Sequence, residues 1–89
     1  MNLLFPPGQI VATPLALQAV APDVLINFIQ RHLTGDWGEV GSEDWTANHR
    51  ALKEGTRLLS AYQTPDGTRV WVITEWDRSL TTVLLPEEY

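Results

Sequence analysis

From Arg57 to Leu85 the chain reads as three short β-strands joined by two turns, with apolar residues on both strand faces rather than alternating with polar ones. The first turn, Thr64-Pro65-Asp66-Gly67-Thr68, sets the register. Pro65 pre-sets φ for the first turn position, Asp66 tolerates the second, and Gly67 accepts the left-handed conformation that follows, which makes a three-residue hairpin with a glycine bulge. With Thr64 opposite Thr68, Tyr62 faces Val70, Ala61 faces Trp71, Leu59 faces Ile73, and Arg57 meets Glu75 at the open end. One face then carries Leu59, Ala61, Trp71 and Ile73, and the other Leu58, Tyr62, Val70, Val72 and Trp76. A sheet wet on one side would alternate, so each face asks for a cover.

Upstream the periodicity changes. Gln9 to Thr13, after Pro6-Pro7-Gly8, is a short apolar run suited to a fourth, edge strand or an extended arm. Thr13-Pro14 is a helix start, cap followed by proline at the first helical position, leading through Leu15, Leu17 and Val20. Leu25, Phe28, Ile29 and Leu33 recur at helical spacing, which predicts a helix over Pro22 to Leu33 with Gly35 as its left-handed stop. A third helix begins at Ser42, with Glu43 and Asp44 in its first turn, an inward stripe of Trp45, His49 and Leu52 beside Ala51, and an end at Gly55. The predicted fold is α+β, one domain of two or three helices packed on a three-stranded, or four-stranded, antiparallel sheet. That much helix covers one face well. The face of Val70, Val72 and Trp76, together with Trp37, is therefore expected to bind a protein partner or a second copy.

At 89 residues the chain builds a single core, with a composition of 44% hydrophobic and 19% charged residues typical of folded proteins. Six Lys and Arg against eleven Asp and Glu give a net charge of −5, which argues against a general nucleic-acid binder; an autoregulatory DNA-binding module would need a basic face that is not seen. The acidic pairs Glu43-Asp44 and Glu87-Glu88 are sparser than the rows of a nucleic-acid mimic. Without cysteine there is no disulfide or thiolate metal site, and the cytoplasm is the expected compartment. The apolar run near Met1 is too short for a signal peptide or membrane span.

The residues with chemistry are few. His32 falls in the last turn of its helix, where a cation is favoured, and would act as a general base only if Asp36 oriented it. His49 lies on the inward stripe expected for the third helix. Convergence of His32, Asp36 and His49 would suit a small hydrolase or nuclease. No HxH or HExxH spacing supports a metal site built from these histidines with Asp36 or Asp44, and no cofactor fingerprint is present. Trp37, between Gly35 and Gly38, either plugs the helix-sheet seam or stands exposed as a hot spot. In the turn Thr74-Glu75-Trp76-Asp77-Arg78-Ser79, Arg78 with Thr81 and Thr82 offers a place for an anion, and the alternative is a polar hairpin end in which Asp77 bonds turn amides.

Four stretches carry a resemblance: Gly35-Asp36-Trp37-Gly38; Ala47-Asn48 through Arg50-Ala51-Leu52; Lys53-Glu54-Gly55 with Arg57-Leu58-Leu59-Ser60-Ala61-Tyr62; and Asp77-Arg78 through Thr81-Thr82-Val83-Leu84-Leu85-Pro86-Glu87-Glu88-Tyr89. Over about residues 8 to 89 they resemble a family of short bacterial proteins of plasmids, prophages and other mobile elements, labelled plasmid-related or as a subunit of a type I restriction methylase. Where many of those proteins have Glu-Ala-Asp-Arg, this chain has Glu75-Trp76-Asp77-Arg78. The chain is too short for a methyltransferase and has no glycine-rich cofactor loop after a strand, so the restriction label reads as genomic neighbourhood. The resemblance itself carries little functional content; taken with the acidic charge and the two-faced sheet, it leads to the expectation of a non-enzymatic interaction protein of a mobile element, with anti-restriction or anti-CRISPR inhibition as one concrete form.

Overall fold

The computed structural model describes residues 3–89. In chain order the elements are β1 (Gln9–Ala12), α1 (Pro14–Ala19), α2 (Pro22–Leu33), α3 (Ser42–Glu54), β2 (Leu58–Gln63), β3 (Arg69–Thr74) and β4 (Leu80–Leu84), followed by a single 3-10 turn, Pro86–Glu88. The fold is α+β, and the strands form one sheet in the order β1-β4-β3-β2. The hairpin register expected from the Pro-Asp-Gly turn is present: Leu59 pairs with Ile73, Ala61 with Trp71 and Tyr62 with Val70. Asp66 organises that turn by accepting from the Thr68 amide at 3.1 Å and the Thr68 hydroxyl at 2.9 Å.

One expectation is corrected. The sheet is mixed, because β1 lies parallel to β4, with Gln9 beside Leu80 and Ala12 beside Val83. All three helices and two strands intervene between these neighbours, and a connection of that length can return the chain in the parallel sense.

Thr13 ends β1 and starts α1. Its hydroxyl accepts from the Ala16 amide at 3.1 Å and donates to Glu88 at 2.7 Å, so one side chain ties the helix start to the C-terminal turn. Proline opens both α1 and α2, and α3 ends at Gly55 in the left-handed conformation, φ 72°. No helix among the described residues is long and apolar enough to cross a membrane.

The core lies between the helices and one sheet face. Ala16, Val20, Leu25 and Phe28 from the helical side pack with Tyr62, Val70, Val72, Val83 and Leu85. A second cluster joins Phe5, Leu33, Trp37, Ala51 and Leu58 near β2. The covered face is thus the one bearing Val70 and Val72, the reverse of the sequence expectation. The outward face carries Val11, Leu59, Ala61, Trp71, Ile73, Thr82 and Leu84, and no helical residue of either cluster packs on it. The C-terminus reaches over it: the Tyr89 ring meets Trp71 edge-on at 5.6 Å, and Arg57 lies over the same ring and bonds its hydroxyl. No ion pair joins Arg57 to Glu75 among the described residues.

Candidate functional site

The polar residues of the covered face explain the reversal. Ser60, Thr74 and Thr81 are buried there, and His32, on the last turn of α2, drops into the middle of them. Its Nδ1 is 2.5 Å from the Ser60 hydroxyl and its Nε2 2.9 Å from Thr74, which is 2.8 Å from Thr81, which donates to the Pro7 carbonyl at 2.7 Å. The carbonyl is an acceptor only, so the chain has a direction. Thr81 gives its proton to Pro7, Thr74 to Thr81, and the imidazole its Nε2 proton to Thr74, which leaves Nδ1 to accept from Ser60. Each hydroxyl proton is used once with a neutral imidazole, the form that burial favours. Burial, and secondarily the Arg78 charge, pull its pKa from 6.5 down to about 4.

This arrangement is not a catalytic base. Both ring nitrogens of His32 are engaged, and its ring is walled by the edges of Phe5 at 5.4 Å and Trp37 at 5.6 Å. Asp36 does not orient it. That carboxylate takes Arg31 Nε at 2.7 Å and Nη2 at 3.3 Å and caps the Gly38 amide at 3.1 Å. The Arg31 hydrogen bond holds the Asp36 pKa below the usual carboxylate range, against an opposing effect of burial. His49 is exposed, contrary to the expected inward stripe, and the Trp37 indole stands between the two imidazoles, 5.9 Å from His49. His32, Asp36 and His49 therefore share no pocket. Among the described residues no group of three or more His, Asp or Glu is placed to hold a metal.

The expected interaction residues divide. Trp37, Val70 and Val72 are wholly buried, and Trp76, two residues past the end of β3, is 67% exposed in the turn. Trp37 plugs the seam between α2, α3 and β2. Gly38 beside it has φ 75°, and a Cβ there would collide with the Ala61 carbonyl and the Tyr62 ring, so only glycine lets this loop run along β2. The Tyr62 hydroxyl donates to the Asp36 carbonyl at 2.5 Å, and burial raises its pKa.

Arg78 is not free for an anion. From a left-handed backbone, φ 61°, its guanidinium donates to the carbonyls of Thr56 at 2.6 Å, Ala51 at 2.9 Å and Glu75 at 3.1 Å. It fastens the C-terminal end of α3 to the β3-β4 turn, as cations do at helix ends. Asp77 bonds the amide and hydroxyl of Ser79, the polar hairpin end that its sequence suggested.

Sequence reasoning missed Asn48. It is the buried polar residue of α3, and its side chain accepts from the Leu59 amide at 3.1 Å and donates to the Leu59 carbonyl at 2.7 Å. The amide thus acts as one residue of a neighbouring strand. An asparagine one position from the predicted stripe was the available signal, and the tertiary contact that uses it is eleven residues away.

What remains as a surface for function is the outward sheet face. It is a patch of mostly apolar strand residues in which Leu59, Ala61, Trp71 and Thr82 are half-buried around the buried Ile73 and Leu84, with Tyr89 lying on Trp71. Comparison with protein-family models, curated proteins and solved structures finds no match.

Proposed function

We propose that this is a small non-enzymatic interaction protein that docks a protein partner on the outward sheet face. The observation that carries this reading is that, among the described residues, the helical core clusters leave out Leu59, Ala61, Trp71, Ile73 and Leu84, residues that a water-facing sheet would exchange for polar ones. Tryptophan at the centre of such a face is a favoured anchor at protein interfaces. Further support comes from the commitment of His32, Asp36 and Arg78 to internal bonds, which takes these three candidates out of any surface site. The resemblance to mobile-element proteins suggests the setting, with a host-defence protein as the partner and inhibition of restriction or CRISPR interference as the outcome.

Site-specific photo-crosslinking in bacterial cells tests this reading. A photoreactive residue at Trp71 is expected to give a discrete crosslinked band, lost when Thr82→Arg is added, while one at Asp66 in the hairpin turn gives none. Equal crosslinking from both positions, or none from Trp71, refutes it.

A further inference from the structure

The two edges of the sheet are finished in opposite ways. On β2, every outward backbone group of Leu59 and Ala61 has a partner: Asn48 serves both groups of Leu59, the Trp37 carbonyl takes the Ala61 amide at 3.1 Å, and the Glu39 amide donates to the Ala61 carbonyl at 2.6 Å. On β1, Gln9 and Thr13 donate to Ser79 and Val83, both at 3.0 Å, so alternate residues turn toward β4. The amides and carbonyls of Ile10 and Ala12 point the other way, and none has a partner among the described residues.

Edges left open in monomeric proteins are guarded by charge, most often lysine. This one has no charged guard. The first 22 residues hold no charged side chain, and all seventeen in the chain lie beyond them. Ile10, on the helix-facing side at the margin of the layer, is 45% exposed. Pro7 and Pro14 bracket the strand and confine any pairing to the stretch between them.

We infer that β1 pairs antiparallel with β1 of a second copy about a two-fold axis through Val11. In that register Ile10 lies opposite Ala12 of the partner copy and Ala12 opposite Ile10. These are the hydrogen-bonded positions of an antiparallel ladder, and the four bonds they form use the four open groups of each edge. Large meets small on the helix side, where Ile10 covers the partner's Ala12 at the margin of the partner's core. Val11 meets Val11 on the outward side. A second copy fits better than a foreign strand because the chain carries a charge of −5 and this segment carries none, so the two copies meet where like charges do not oppose them. The inference is independent of the outward-face reading.

The test is sedimentation equilibrium of the full chain over a wide concentration series, with hydrogen exchange of individual amides. The chain is expected to form a dimer whose Ile10 and Ala12 amides gain protection as concentration rises. Ile10→Pro removes only an outward donor and Ile10→Lys adds the missing guard; each is expected to weaken the dimer by roughly tenfold or more. Ala61→Arg, on the outward face of β2 at the far side of the sheet from β1, leaves it unchanged. A monomer at all concentrations overturns the inference, as does a dimer that Ala61→Arg disrupts or one whose Ile10 and Ala12 amides exchange freely. The exchange measurement on the unmodified chain decides the matter if a variant fails to fold.

Discussion

Acidification should destabilise this protein through His32 before the carboxylates take part. The native imidazole titrates at about 4 and the unfolded one at 6.5. Above pH 6.5 both states hold it neutral and stability is unaffected. Between 6.5 and 4 the unfolded chain binds a proton that the native state refuses, so stability falls with pH and levels off below 4. The gap of about two and a half pH units, at 1.36 kcal/mol each, amounts to about 3 kcal/mol. For a domain whose total stability is on the order of 5–15 kcal/mol, that is a large part. The structural reason is the one-way bond chain: a proton on Nδ1 would face the Ser60 hydroxyl proton, and Ser60 would have to turn away inside the core.

The assay is urea unfolding at intervals from pH 7.5 to 4.5 for the native chain and for His32→Gln, which cannot titrate but keeps an acceptor and a donor. The difference between the two curves isolates His32 from Asp36, whose exposed ion pair with Arg31 contributes little and only in the carboxylate range. Proton NMR of the native chain supplies the site-resolved check, since His32 should remain neutral through pH 5. Parallel stability lines for the two proteins, or a His32 resonance titrating near 6.5 in the folded state, would refute the reasoning.

Three further outcomes follow from the geometry. Gly38→Ala should cost about 3 kcal/mol or more in chemical denaturation, because the added Cβ meets the Ala61 carbonyl and Tyr62 ring from a left-handed backbone. Asn48→Ala should cost about 2 kcal/mol by leaving both groups of Leu59 unpaired, with faster exchange of the Leu59 amide as the specific sign; exchange unchanged from the parent would count against its edge role. Arg78→Ala should lower the melting temperature by releasing three carbonyls, at about 1–2 kcal/mol, and Arg78→Lys should recover only part, because one ammonium cannot span the fork that reaches Ala51 and Thr56 together.

Local rules carried much of the fold. The Pro-Asp-Gly turn dictated the β2-β3 register, and the 3.6-residue spacing of Leu25, Phe28, Ile29 and Leu33 with flanking Pro22 delimited α2 as found. The assignment of faces did not follow from such rules. Leu59, Trp71 and Ile73 make one side of the sheet look like core, while the other side sets the hydroxyls of Ser60, Thr74 and Thr81 among Leu58, Val70 and Val72. The helices nevertheless chose the second side, because α2 brings a histidine that bonds Ser60 and Thr74, while Thr81 is met by Thr74 and the Pro7 carbonyl. Burial of a polar set is favourable only when the complete set is present, and completeness is a property of three strands and a helix together. The rotation of α3 that buries Asn48 instead of His49 has the same character: its cause is an unpaired strand edge, which hydropathy along the helix does not register. The parallel placement of β1 also depended on where the intervening elements return the chain.

The finishing of β2 by the Asn48 side chain and the backbone of Trp37 and Glu39 has a consequence for how far strand addition can go. A sheet with two available edges can add neighbours on both sides and grow into a fibre, whereas a sheet with one can accept a single neighbour and stop. With Leu59 and Ala61 occupied from the side, this chain is a terminator at one end, so strand addition can proceed only from β1.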